Sequence, residues 1–153
     1  MQLFRFMSQK EFQKYIRGEK LTNTTKHNIE RNQKTNSVGF CFLNIEEYEP
    51  EHALHFLTGI VNFEVCAIFE VDKRKVNKTW GRYAKPLEPV GNAIEDLIKL
   101  INGFHESFIA NEYSTTEYSI EDFKLIKYAI PEWNNKNQWK WKEDYYCINF
   151  KRS

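Results

Sequence analysis

Hydrophobic residues recur along this chain with two different periods, and the changes between them divide it into elements. "LFRFM", residues 3–7, reads as a strand. Ser8 then stands three residues before Glu11, the spacing of a capping box, and Phe12, Tyr15 and Ile16 share one face of a helix that Gly18 ends. Residues 22–37 are polar throughout and read as a long surface loop, which in a compact domain is either functional or mobile. "VGFCFLNI" (38–45) is a strand, and "PEHALHFLTGI" (50–60) a second helix with Ala53, Leu54 and Leu57 inward. "FEVCAIFEVD" (63–72) is apolar on both faces, which predicts a central strand. "NAIEDLIKLINGF" (92–104) gives the clearest helix: Asn92 caps it, Glu95 sits three residues on, and Ile94, Leu97, Ile98 and Ile101 form its apolar stripe. The last third holds the strands "EYSTTEYSI" (112–120), "FKLIKYAI" (123–130) and "YYCINF" (145–150). Strands outnumber helices and fall in blocks, so the expected class is α+β with mostly antiparallel sheet. With neither a linker nor an internal repeat, residues 1–153 form a single domain.

Composition narrows this picture. At 153 residues with 41% hydrophobic and 16% aromatic content, the chain is long and apolar enough to bury a core. A run of about 18 apolar residues, the length of a membrane span, is not found, and the charge at Arg5 comes too early for a secretory leader. The expectation is a protein of the cytoplasm with no membrane partner. Cys41, Cys66 and Cys147 are widely spaced among apolar neighbours and read as small buried hydrophobes. His52 and His55 lack an accompanying acid cluster, so no metal site is expected. Net charge is only +1, yet "DKRKVNKTWGRYAK" (72–85) is locally basic, and "PEWNNKNQWKWKEDYY" alternates tryptophans with lysines. Such interleaving suits single-stranded nucleic acid; a solvated turn and tryptophans packed on one side of a strand are the favoured reading.

Within "NEYSTTEYSIEDFKLIKYAI" (111–130), Glu112 and Glu117 interrupt a run of strand-favouring residues, where acids are depleted. Strand alternation puts Glu112, Ser114, Thr116, Tyr118 and Ile120 on one face and Glu117 on the other. At most one glutamate then serves a given cleft. The segment resembles that of ADP-ribosyltransferases, poly-ADP-ribose polymerases especially, in which Asn-Glu-Tyr opens a strand and a hydrophobic strand ending in Lys-Tyr follows. Two more pieces come in the family's order. "LFRFMS" is similar to its first strand, whose arginine anchors NAD, and "VGFCFL" resembles the Gly-x-Tyr-Phe strand lining the nicotinamide pocket.

The resemblance implies two small, mostly antiparallel sheets forming an NAD cleft, flanked by two to three helices. It makes Glu112 the catalytic residue and places Arg5, Ser8, Thr22, Asn23, Gly39, Phe40, Phe42 and Tyr113 around NAD. The implied activity is that of an NAD-dependent mono-ADP-ribosyltransferase acting on a macromolecular acceptor, a protein first and nucleic acid second. A small stand-alone transferase of this kind would suit an effector or toxin. The departures are specific. Cys41 occupies the position of the stacking tyrosine, so Phe40 or a loop aromatic would have to replace it. Arg5 stands near where the polymerases have histidine, Thr35-Asn36-Ser37 only partly echoes the Ser-Thr-Ser of toxin-like members, and Ala110 replaces the acid or amide of arginine-modifying members.

The chemistry accounts for these residue types. Breaking the bond between ribose and nicotinamide passes through an oxocarbenium-like centre. A fixed carboxylate can hold the sugar hydroxyls and offset the developing charge. An arginine fork fits a diphosphate. Each residue also has a plainer reading: Arg5 as an edge salt bridge, Glu112 as a solvated strand start, Gly39 as a bulge, and Tyr113 as packing. Two other functions stand beside the transferase. One is a catalytically degenerate binding module of the same fold, and the other a nucleic-acid binder using residues 73–85.

Overall fold

A computed structural model describes residues 1–22, 39–57, 64–86, 92–102, 105–131 and 140–143. Among the described residues, eight strands and three α-helices follow one another: β1 (Gln2–Met7), α1 (Gln9–Ile16), β2 (Leu21–Thr22), β3 (Phe40–Asn44), α2 (Pro50–Leu57), β4 (Val65–Val71), β5 (Asn77–Pro86), α3 (Ala93–Asn102), β6 (His105–Thr115), β7 (Glu117–Tyr118) and β8 (Phe123–Ala129). The class is mixed α and β, and the strands of its sheets pair antiparallel.

Six strands make one sheet in the order β5-β6-β3-β1-β4-β8, while β2 and β7 pair separately. The large sheet is two three-stranded halves with a narrow join. Among the described residues, the β1–β3 ladder that joins β5-β6-β3 to β1-β4-β8 pairs Leu3↔Asn44 and Phe4↔Leu43, extended by the Ile45 amide donating to the Gln2 carbonyl. Beyond Phe4, β1 continues along β4 and β3 continues along β6. β4 is interior to the sheet, as its two-sided apolar run predicts, and six of its seven residues are buried.

Side chains of the two faces build two cores. Leu3, Met7, Phe40, Phe42, Phe69 and Phe123 meet Phe12 and Tyr15 of α1 on one side. Phe4, Phe6, Leu43, Cys66 and Ile68 pack with Ala53 of α2 on the other. α1 begins and ends as its sequence dictates. The Ser8 hydroxyl accepts from the Glu11 amide, and Gly18, at φ 81°, closes the helix. There the Glu19 amide donates to Lys14 and the Gly18 amide to Tyr15. Tyr15 reaches across the core to β8, donating to the Phe123 carbonyl and accepting from the Leu125 amide. That contact sits beside the bulge where β8 slips by one residue against Ile68 and Phe69.

Three expectations are corrected, and a fourth observation concerns the apolar stripe of α3. The basic segment 72–85 is not a turn throughout. Only Lys73–Lys75 forms a 3-10 turn, and Asn77–Pro86 is the ten-residue edge strand β5. Edge strands tolerate lysine, which masks their periodicity. The strand expected to open at Glu112 begins at His105 instead. Alternation does not run from Glu112 through Tyr118, because the strand is interrupted at the exposed Thr116, and Tyr118 packs in the core on the α1 side. Finally, Ile94, Leu97 and Ile98 on the stripe of α3 are exposed, at 71%, 55% and 49%. Periodicity states which face of a helix is apolar, not what covers it. Asn92 does cap α3, its side-chain oxygen accepting from the Ile94 and Glu95 amides. The expected strand 145–150 and most of the loop 22–37 lie outside the described residues.

Candidate functional site

The three segments singled out in the sequence are contiguous strands: β6 with Glu112, β3 with Gly39–Phe42 at its start, and β1 with Arg5. β3 and β6 pair through Phe40↔Thr115, Cys41↔Ser114 and Phe42↔Tyr113. Residues directly opposite in an antiparallel pair project from the same face, and neighbours along a strand from opposite faces. One face therefore carries Cys41, Leu43, Glu112 and Ser114, joined from β5 by Thr79, which stands opposite Glu112. The other carries Phe40, Phe42 and Tyr113, joined from β1 by Arg5.

On the first face, Glu112 is 1% exposed in the middle of β6. Ser114 and Thr79 are buried with it, and the Thr79 hydroxyl donates to that of Ser114 at 3.2 Å. Cys41 is partly exposed. A buried carboxylate flanked on its own face by neutral hydroxyls can grip sugar hydroxyls and oppose a growing positive charge at close range. Glu117 instead lies in solvent, 3.3 Å from the Lys20 ammonium. The two glutamates thus divide into one buried and one solvated, with the interruption at Thr116 between them.

The opposite face holds a closed ionic cluster. Nε and Nη2 of Arg5 donate to both carboxylate oxygens of Glu11 at 2.8 and 3.0 Å, a fork-to-fork pair. Nη1 donates to the Cys41 carbonyl at 3.2 Å, and the guanidinium lies 5.0 Å from the Phe40 ring and 5.8 Å from that of Phe42. Tyr118 donates its hydroxyl to Glu11 at 2.7 Å. Burial by itself would raise the Glu11 carboxyl, but the charge and hydrogen bonds of Arg5, with the bond from Tyr118, hold it below the ordinary carboxylate range. Burial, then the Glu11 charge, pushes the Tyr118 phenol well above its usual value. Arg5 stays charged, since the pair with Glu11 outweighs the effect of burial.

The predicted site residues separate accordingly. Glu112 stands on one face. Arg5, Phe40, Phe42 and Tyr113 stand on the other, and Phe40 and Phe42 are core residues at 5% and 1% exposure. A single cleft cannot be lined by Arg5 and Glu112 in this arrangement, nor can Phe40 supply an aromatic surface beside Glu112. Ser8 is the N-cap of α1. Thr22 ends β2, opposite Glu117, and Asn23 lies outside the described residues. Gly39 has φ +64°, and an added Cβ would come within 2.6 Å of the Thr115 carbonyl, so glycine there permits β3 to approach β6.

Sequence reading passed over Thr79, Ser114 and Tyr118 as site residues and took Glu11 only for a capping partner. Half of that box forms: Ser8 accepts from the Glu11 amide, while the Glu11 carboxylate turns to Arg5. The signal available was the i, i+6 pairing of an arginine and an acid across one short turn. Elsewhere, Arg74 pairs with Asp72, and Lys75 with Asp122, so part of the basic segment is neutralised locally. Among the described residues, none of the helices is long and apolar enough to cross a membrane. No protein-family model matches this sequence, and neither a curated protein nor a solved structure matches it significantly.

Proposed function

We propose that this protein transfers ADP-ribose from NAD to a macromolecular acceptor, with Glu112 as the catalytic carboxylate. The observation that carries the reading is the adjacency of the three motif strands. Segments up to about a hundred residues apart in sequence, resembling transferase motifs and arriving in the family's order, lie side by side as β6, β3 and β1. The buried position of Glu112 among hydroxyls adds the required chemistry.

In this reading the ribose C1–nitrogen bond of NAD breaks and nicotinamide leaves with the bonding electrons as a neutral molecule. An acceptor oxygen or nitrogen then bonds C1 and releases its proton to water. Glu112 holds the ribose hydroxyls and stabilises the cationic centre between the two events. Nicotinamide carries positive charge in NAD, so its departure needs no general acid.

The test measures nicotinamide released from NAD in the presence of cell lysate, with wild type beside Glu112→Gln. Wild type should release it, and the variant should be slower by about a hundredfold or more. Release at equal rates from both would remove Glu112 from the chemistry. A second reading, a binding module that has lost catalysis, is favoured by one observation: the Arg5 fork is already filled by Glu11. Calorimetric titration separates the two, because a module without NAD affinity cannot be the enzyme.

A further inference from the structure

Arg5 lies where the two half-sheets part. The β1–β3 ladder ends at Phe4↔Leu43. From there Arg5, Phe6 and Met7 follow Ala67, Cys66 and Val65 of β4, while Phe42, Cys41 and Phe40 follow β6. At this fork backbone pairing between the halves has stopped, and the Arg5 side chain takes its place. Its Nη1 holds the Cys41 carbonyl at 3.2 Å, its Nε and Nη2 hold Glu11 of α1, and its Cζ lies 5.0 and 5.8 Å from the ring centres of Phe40 and Phe42. Through Glu11 the same cation reaches Tyr118 on β7, the segment that follows β6. One guanidinium therefore ties β1, α1 and β3 directly and β7 at one remove.

The residue it holds matters. Cys41 pairs with Ser114, and both project from the Glu112 face, so the peptide that Arg5 grips from behind carries one wall of the Glu112 cluster. We propose that Arg5 is a positioning residue, a pin that fixes the Cys41 peptide of β3 against β6 and thereby sets the geometry of the Glu112 face, rather than a ligand for the NAD diphosphate. The catalytic consequences rest on the transferase reading; the pin itself does not. Three of the five guanidinium N–H groups are committed to Glu11 and Cys41. A diphosphate would have to displace a bidentate carboxylate on the face turned away from Glu112. Lysine at this position would keep the charge beside Glu11 but not the fork, so it could not hold Glu11 and Cys41 together.

Arg5→Lys, Glu11→Gln and Tyr118→Phe test the pin. Arg5→Lys keeps the ion pair and Tyr118→Phe keeps the ring, so the set does not depend on any single variant folding. The first readout is the alkylation rate of Cys41 by iodoacetamide, mapped by mass spectrometry, with the buried Cys66 as internal reference. Arg5→Lys should raise the Cys41 rate about tenfold through looser local structure, leave Cys66 unchanged, and Tyr118→Phe should do the same more weakly. The second readout is nicotinamide release: kcat should fall about tenfold in Arg5→Lys with KM for NAD altered less than about twofold, as for a misplaced site. Unchanged Cys41 reactivity in Arg5→Lys and Glu11→Gln would overturn the pin. So would tighter NAD binding in Glu11→Gln together with lost NAD affinity in Arg5→Lys, since that pattern describes an NAD ligand capped by Glu11. If wild type releases no nicotinamide while the Cys41 effect persists, the pin stands and the transferase reading falls.

Discussion

Glu11 and Glu112 are both carboxylates withdrawn from solvent on the two faces of one sheet, and their surroundings differ in kind. Glu11 is met by a guanidinium fork and a phenol, and its side chain is 17% exposed. Glu112 is 1% exposed, and the residues that share its stretch of face, Ser114, Thr79 and Cys41, are neutral. A charge met by a fixed countercharge contributes to folding and has little left to offer a ligand. In the transferase reading proposed above, the Glu112 carboxylate meets a positive centre that arrives with a substrate. The Arg5–Glu11 pair ties elements of the fold together, and the proposed chemistry rests on the Glu112 face.

The largest effect expected is on stability at the Arg5–Glu11 face. Glu11→Ala leaves the Arg5 cation buried without its partner and should lower unfolding free energy by about 3–5 kcal/mol in urea titrations. Glu112→Gln, which keeps volume and shape, should shift the urea midpoint far less while slowing nicotinamide release about a hundredfold, or roughly 2.7 kcal/mol in barrier. An equal loss of stability in both would erase the distinction between the faces.

Gly39→Ala probes the strand the two clusters share. Its φ of +64° and the 2.6 Å approach to the Thr115 carbonyl should make it cost at least about 2 kcal/mol and disturb both clusters together. Damage to only one of them would show that β3 does not couple the faces. Tyr118→Phe removes a hydrogen bond to a charged acceptor but no ring, and about 1.5 kcal/mol should be lost, with KM for NAD unchanged.

The smallest effect is the pH dependence. Since the folded state lowers the Glu11 pKa, its contribution is present above the unfolded value of about 4.3 and disappears as pH falls through the lower folded value. Glu11→Gln should therefore flatten the acid limb of the stability profile. Tyr118 shifts the other way: its contribution is complete below about pH 10 and declines above it, so Tyr118→Phe should flatten the alkaline limb. A profile unchanged in either limb would show that the cluster does not form in solution.

Particular residues show how far the sequence could be read. Ser8, Glu11 and Gly18 announced the two ends of α1, and their backbone bonds form as capping chemistry requires. The unbroken apolar run of β4 announced an interior strand. Thr79 was hidden by the lysines and arginine around it, because an edge strand need not alternate cleanly. Counting residues from Glu112 puts Tyr118 on the wrong side. The interruption at Thr116, where the Thr115 hydroxyl donates to the Glu117 carbonyl, resets the period.

What the sequence by itself determined was therefore local: which periodic segments are helix or strand, and where α1 and α3 are capped. These depend on dihedral preference, side-chain period and hydrogen bonds a few residues long. Only the tertiary structure decided that Arg5 and Glu112 occupy opposite faces, that Glu11 leaves the capping box for Arg5, and that Thr79 stands across from Glu112. Those outcomes turn on the register between strands tens of residues apart, and a shift of one residue would exchange every face.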